Sequence, residues 1–213
     1  MLTDQQIEEL SKKMNIPLEG VYFKDEINKP VDYNKVYIIN LEDSVKDDGT
    51  ENSGTHWTML YIRKTPNDTI QPIYFDPYGC PPPNNITKII EKQIKMKLPY
   101  TTKDIQSLMN NACGFYCLAM AHYITYFKFR TNNLYIDVEH FLDMFDDLNS
   151  SIDWKKNEYI LKHFFQAEDP SERKPIDVLS QDHSFYEKIL EEDEKGGIDM
   201  MKLPVELNNR LKK

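Results

Sequence analysis

The chain has 213 residues, of which 40% are hydrophobic and 12% aromatic, enough for one substantial core without a second domain. Its formal net charge of -9 repels a phosphate backbone and argues against a nucleic-acid-binding protein. Its three cysteines fit neither the disulfide framework of a small secreted domain nor a zinc site built from paired cysteines, so a reducing, cytosol-like compartment is expected.

The beginning of the chain predicts a helix and then three strands. Thr3 to Gln6 forms a capping-box sequence, and the apolar residues that follow at helical spacing predict a first helix over roughly residues 4–14. Neither this segment nor any later one has the pattern of a secretory signal or a membrane span. Runs of β-branched and aromatic residues, separated by turn signals, predict strands over residues 36–41, 56–62 and 70–75.

The second half of the chain is predicted to be mainly helical. Strands and helices interleave without strict βαβ alternation, which favours an α+β fold. Apolar spacing predicts four helices: one through residues 86–94 capped by Asn84 or Asn85, one beginning at or near Cys113, and two through residues 138–145 and 159–165.

The composition becomes polar from Ala167 onward. This segment contains prolines, an acidic run at residues 191–194 and a basic end. We therefore expect one folded domain over residues 1–167 and a polar C-terminal tail or extension over residues 168–213.

Four residues supply the groups of a cysteine-nucleophile site. Such a site needs a thiol, an imidazole that holds its proton, a carboxylate that orients the imidazole, and an amide donor for the developing oxyanion. Cys113, His56, Asp76 and Gln106 can fill these roles in that order. The sequence therefore predicts a catalytic site of the cysteine protease type.

The position of each residue supports its role. Cys113 begins a predicted helix, where the helix dipole and the unpaired amides stabilise a thiolate. Gln106 lies seven residues earlier, so a loop can aim its amide at the same oxyanion. Cys117, one helical turn after the nucleophile, is expected to be a core residue.

His56 is the histidine expected to act as the base. It starts a predicted strand after a flexible entry, and Trp57 beside it is a large side chain for the wall of a cleft. Asp76 ends the next predicted strand, so it lies beside the imidazole if the two strands are neighbours. His122 follows Cys113 by nine residues and is expected on the opposite face of the helix.

A zinc site is the alternative use of these groups. It would combine Cys113, Cys117 and a distant histidine, but it lacks an obvious fourth ligand and leaves Gln106 without a role. No metal is therefore expected.

Taken together, these motifs resemble the adenovirus maturation protease. The order of the motifs and the Gln-to-Cys interval are the same in both, and the resemblance covers roughly residues 50–130. The matching motifs are His56-Trp57, Asp76 in Asp-Pro-Tyr-Gly, Gln106, and Cys113 in Ala-Cys-Gly-Phe-Tyr-Cys. The motifs resemble still more closely the proteases of virophages and self-synthesising transposons. The wider clan includes the proteases that deconjugate SUMO-like modifiers. The adenovirus enzyme has Glu where this chain has Asp76.

The resemblance implies a papain-like core in permuted order, with a central mixed sheet flanked by helices. It implies a viral maturation endopeptidase that cleaves capsid precursor proteins after Gly-Gly-X or Gly-X-Gly sequences, in the host cytoplasm at virus assembly sites and in the virion. Trp57 and Gly114 would then contact the substrate, and no membrane partner is implied. An activating peptide is the one auxiliary factor implied, because the acidic charge argues against activation by DNA.

Two further points stay open at the level of sequence. Gly196 and Gly197 form a Gly-Gly-X sequence before Ile198, which predicts self-cleavage after Gly197, with a simple hinge as the alternative. The other candidate functions are an isopeptidase for SUMO- or ubiquitin-like modifiers and a catalytically silent protein that binds glycine-rich tails.

Overall fold

The computed structural model describes residues 1–166 except 109, 127, 128, 149 and 150. Within these residues four strands and five helices form an α+β fold. The predicted tail, with Gly196 and Gly197, lies outside the described residues. The elements in chain order are α1 (Asp4–Lys13), β1 (Leu18–Phe23), β2 (Val36–Asn40), β3 (Trp57–Lys64), β4 (Ile70–Phe75), α2 (Asn84–Ile94), α3 (Cys113–Thr125), α4 (Leu134–Leu142) and α5 (Ser151–Gln166).

The four strands form one mixed sheet in the order β1-β2-β3-β4. β1 and β2 are parallel, whereas β3 is antiparallel to both β2 and β4. Asn40 pairs with Trp57, and Met59 pairs with Phe75. The end of β2, the start of β3 and the end of β4 therefore meet at one end of the sheet, which we call the site end.

Helices cover both faces of the sheet. Met59 and Tyr61 of β3 belong to the core shared with α1, α3, α4 and α5, whereas Leu60 and Ile62 belong to the core shared with α2. β2 and most of β3 are consequently buried on both sides, which explains their continuous apolar sequences. The sheet is thus a middle layer between two helical layers, with the site end at one end of its strands.

The helix α3 is buried from Cys113 to Ile124. Its far end is tied to the sheet by Arg63 of β3, a buried arginine whose guanidinium donates to the Ile124 carbonyl at 2.6 Å and pairs with Asp137 of α4 at 2.8 Å. These contacts fix the direction in which α3 presents its first residue. None of the helices within the described residues is long and apolar enough to cross a membrane.

Most predicted elements are confirmed, and two details are wrong. α1 carries the expected capping box at Thr3, and α3 begins at Cys113 as predicted. Pro83, not Asn84 or Asn85, is the N-cap of α2, and no side chain caps that end, because the extended backbone of the proline run continues to Pro83. The edge strand β1 was not predicted, since it is only partly buried and lacks an alternating pattern.

Candidate active site

His56 and Asp76 meet at the site end of the sheet. His56 directly precedes β3 and Asp76 directly follows β4, so the antiparallel pairing of these strands brings them together. The His56 Nε2 and Asp76 Oδ1 atoms are 2.7 Å apart, and the residues are 8% and 1% exposed. The prediction that their strands are neighbours is confirmed.

A tight turn after β4 holds the Asp76 carboxylate in place. The same Oδ1 atom also accepts a hydrogen bond from the Tyr78 backbone N–H at 2.8 Å, and the Gly79 N–H donates to the Asp76 carbonyl at 2.8 Å. Gly79 has a φ of 68°, and a Cβ there would lie 2.5 Å from the Thr102 carbonyl oxygen. The turn therefore requires glycine, and Asp76 both shapes the turn and orients the imidazole.

The second ring nitrogen of His56, Nδ1, does not contact Asp76 and is the atom we expect to interact with Cys113. Nδ1 is buried and has no hydrogen-bond partner within the described residues, and the Cys113 thiol is the neighbouring group that acts on the ring with Asp76. Burial alone would lower the pKa of His56. The hydrogen bond and charge of Asp76, together with the neighbouring Cys113, outweigh burial and raise that pKa from 6.5 to about 9. This shift favours the imidazolium over the neutral ring at neutral pH.

Cys113 lies at the first position of α3 and is 2% exposed. The amides of Phe115 and Tyr116 bond to the Ala112 carbonyl, whereas helix geometry leaves the Cys113 and Gly114 amides without an intrahelical acceptor. Ala112 is the N-cap and supplies no side-chain hydrogen bond. The uncapped end leaves these amide donors, and the positive end of the helix dipole, beside the thiol.

Gln106 is fully buried in the loop that precedes α3. Its backbone N–H donates to the Pro77 carbonyl at 3.3 Å, which ties this loop to the Asp76 turn. Its side-chain Nε2 donates to the Tyr78 hydroxyl at 3.3 Å and to the Asn110 carbonyl at 3.2 Å. The predicted oxyanion donor is thus at the site, with both amide hydrogens engaged.

Tyr78 lies in the Asp-Pro-Tyr-Gly motif, and the sequence alone indicates no role for it. Its half-buried ring stacks on the His56 imidazole, with centroids 4.3 Å apart and an interplanar angle of 14°. The only available sequence signal was its position, two residues after the carboxylate within a turn that folds the chain back. The structure therefore adds an aromatic residue to the predicted set.

Trp57 and Gly114 are packed together beside Leu2, next to Cys113 in the chain. Trp57 is 4% exposed, and its indole N–H donates to the Leu2 carbonyl at 2.9 Å. A Cβ at Gly114 would lie 3.2 Å from the Leu2 side chain and 3.3 Å from the Trp57 ring. These contacts give both residues a packing role, and their contact with substrate stays a prediction.

Glu158 of α5 is a second residue that the sequence did not indicate. Burial raises its pKa from 4.5 to about 7, and the Asn110 side-chain amide donates a hydrogen bond to its carboxylate. Asn110 also supplies the carbonyl that holds Gln106. The carboxylate of Glu158 is therefore linked to the loop between Gln106 and Cys113.

The remaining thiol and imidazole on α3 have structural contacts. Cys117 is fully buried, its Sγ lies 3.3 Å from the Trp57 carbonyl oxygen, and burial raises its pKa well above the ordinary value. This confirms it as a core residue. His122 is 2% exposed, and its Nδ1 lies 3.0 Å from the Met14 carbonyl oxygen.

Comparison with known proteins adds no assignment to this site. No protein-family model matches the chain, and no curated protein matches it. Among the described residues no group of three or more His, Cys, Asp or Glu side chains could hold a metal ion. Function is therefore inferred from the geometry of His56, Asp76, Gln106 and Cys113.

Proposed function

We propose that this chain is a cysteine endopeptidase in which Cys113 is the nucleophile and His56 holds its proton. The observation that supports this most strongly is the buried imidazole between Asp76 and Cys113, with its pKa raised to about 9. A histidine in that state keeps its charge at neutral pH and stabilises a thiolate beside it. A thiolate paired with an imidazolium is the reactive form of a cysteine protease.

The proposed reaction proceeds by acyl transfer. The Cys113 thiolate attacks the scissile carbonyl carbon, a carbon–sulfur bond forms, and the carbonyl π electrons move to the oxygen. The Cys113 N–H and the Gln106 Nε2 hydrogens bind this oxyanion, for which Gln106 exchanges its contact with Asn110. His56 then gives its proton to the leaving amine as the carbon–nitrogen bond breaks. It next takes a proton from the water that hydrolyses the thioester.

Low exposure of the site supports a preference for glycine. Cys113 is 2% exposed and His56 8%, so an extended chain with side chains beside the scissile bond has little room to approach. Glycine residues on either side of the bond remove this steric conflict. This is consistent with cleavage after Gly-Gly-X or Gly-X-Gly sequences, the specificity that the resemblance to the adenovirus maturation protease implies.

The order of the site residues supports a more specific proposal for the fold and the substrates. His56, Asp76, Gln106 and Cys113 occur in this order along the chain, and the proposed nucleophile starts a buried helix that packs on β3, the strand directly after His56. This arrangement supports a papain-like core in permuted order, as in the adenovirus maturation protease that the motifs resemble. Capsid precursor proteins of a virus or virus-like element are then the proposed substrates.

Mass spectrometry of short peptides tests the proposal. Gly-Gly-X and Gly-X-Gly peptides are incubated with the wild type, with Cys113→Ala, and with Cys80→Ala as a control that removes an exposed thiol. We expect cleavage after glycine by the wild type and Cys80→Ala alone. Cleavage by Cys113→Ala, or cleavage that Cys80→Ala abolishes, contradicts the assignment of the nucleophile.

The same experiment separates the two alternative functions. Cleavage of folded modifier fusions without cleavage of short peptides indicates an isopeptidase for SUMO- or ubiquitin-like modifiers. Binding of glycine-rich peptides without any cleavage, together with a Cys113 that does not react with thiol-directed electrophiles, indicates a silent binder.

A further inference from the structure

Tyr78 contacts three of the four predicted catalytic residues, each through a different group. Its ring stacks on His56 at 4.3 Å between centroids, and its backbone N–H donates to Asp76 Oδ1 at 2.8 Å. Its hydroxyl oxygen accepts a hydrogen bond from Gln106 Nε2 at 3.3 Å. Tyr78 therefore contacts the imidazole through its ring and the predicted oxyanion donor through its hydroxyl.

The hydroxyl proton of Tyr78 is available to a ligand. Because the oxygen accepts from Gln106, its own hydrogen points elsewhere, and within the described residues the hydroxyl donates no hydrogen bond. Burial, reinforced by the negative charge of Cys113 and Asp76, raises the pKa of Tyr78 to about 12. The group consequently stays a neutral donor at the pH values at which His56 is charged.

Gln106 and Tyr78 can share one acceptor. Their donor atoms are 3.3 Å apart, and an oxygen placed about 2.9 Å from each forms two hydrogen bonds of ordinary length. A carbonyl oxygen of a substrate attacked by Cys113 needs such donors only when it becomes negatively charged. The Tyr78 hydroxyl is a donor already in place at that moment, whereas Gln106 must first exchange its contact with Asn110.

We propose, on the basis of the proposed function, that Tyr78 is a further catalytic residue whose hydroxyl donates a hydrogen bond to the scissile carbonyl oxygen as it becomes an oxyanion. Tyr78 keeps its proton throughout, so the transfer of the acyl group to Cys113 involves no additional proton transfer. The ring has a second effect, because its face lies over the His56 imidazolium and favours the positive charge.

The test uses Tyr78→Phe, which keeps the ring and removes the hydroxyl. Tyr100→Phe is the matched control, since it removes the same group from a residue that is 41% exposed. Each variant and the wild type are measured for cleavage of a Gly-Gly-X peptide, for affinity toward a peptide aldehyde ending in Gly-Gly, and for the rate at which iodoacetamide alkylates Cys113. The aldehyde forms a hemithioacetal whose oxygen occupies the oxyanion position, whereas alkylation uses the thiolate and forms no oxyanion.

Loss of an oxyanion donor affects only the first two measurements. For Tyr78→Phe we expect kcat to fall by about tenfold to 100-fold with KM unchanged, and the aldehyde to bind about tenfold or more weakly. Alkylation of Cys113 should stay within about twofold of the wild type, which also shows that the variant has a folded site. Tyr100→Phe should match the wild type in all three.

Two results overturn the proposal while leaving the proposed function in place. The first is a Tyr78→Phe variant that cleaves peptide and binds aldehyde as the wild type does. The second is a parallel loss of cleavage and alkylation, which assigns the hydroxyl to supporting His56 and not to the oxyanion. A wild type that neither cleaves peptides nor binds the aldehyde, although Cys113 is alkylated, overturns the proposed function and this inference with it.

Discussion

The Asp76 carboxylate is predicted to set the alkaline limit of the reactive ion pair. The pKa of His56 rises from 6.5 to about 9, which corresponds to roughly 3 kcal/mol in favour of the imidazolium over the neutral ring. This energy comes from Asp76 and Cys113 against the opposing effect of burial, and the hydrogen bond of Asp76 is the largest favourable contribution. Replacing the carboxylate by a neutral amide therefore removes a large part of the rise.

Asp76→Asn is the perturbation that isolates this charge. The amide oxygen of asparagine can still accept from His56 Nε2 and from the Tyr78 N–H, so the turn and the ring orientation are retained. We expect the pKa of His56 to fall by about one unit or more. The pH range in which the thiolate and the imidazolium coexist then becomes narrower on its alkaline side.

Alkylation of Cys113 by iodoacetate measures this limit without a substrate. The carboxylate of the reagent is attracted by the imidazolium, so the rate falls as His56 loses its proton at alkaline pH. Rates are measured by intact mass from about pH 5 to about pH 10 for the wild type, Asp76→Asn and Asp43→Asn, the last removing an exposed carboxylate paired with Lys24. An alkaline limb that stays near pH 9 in Asp76→Asn refutes the reasoning, because Asp76 would then not support the charge of His56.

Three further predictions concern stability and processing. Arg63→Met should lower the free energy of unfolding, measured by thermal denaturation, by about 3 to 5 kcal/mol, because it leaves the buried carboxylate of Asp137 without its ion-pair partner. Lys64→Met is the control, because it breaks the more exposed ion pair with Asp68 and should cost less than about 1 kcal/mol. The raised pKa of Glu158 makes its ionisation unfavourable in the folded state, so stability should fall as pH rises from 4.5 to about 7, and Glu158→Gln should remove this fall in melting temperatures. Long incubation of active enzyme should release residues 198–213 by cleavage after Gly197, and an intact mass throughout would contradict it.

The parts of the site that lie at element boundaries could be predicted from the sequence. His56 and Asp76 flank strands with clear turn signals, and the antiparallel pairing of two consecutive strands places their adjoining ends together. Cys113 begins a long apolar segment, which marks the start of a buried helix. Local sequence patterns suffice here because each of these residues is positioned by the element beside it.

The parts that depend on distant contacts could not be predicted. Asn110 and Glu158 are separated by 48 residues, and no local pattern indicates that α5 returns to the loop before α3. The edge strand β1 contains Glu19 and Gly20 and has no apolar alternation, so only its parallel pairing with β2 identifies it. Long-range packing determines these features, and periodicity carries no information about it.

Tyr78 shows how one turn joins the predictable and unpredictable parts of the site. The carboxylate that orients His56 also accepts the Tyr78 N–H, and this hydrogen bond, with the positive φ of Gly79, turns the chain so that the ring covers the imidazole. The same turn receives the backbone of Gln106 through the Pro77 carbonyl. A change at Gly79 is therefore expected to displace His56, Asp76 and Gln106 together.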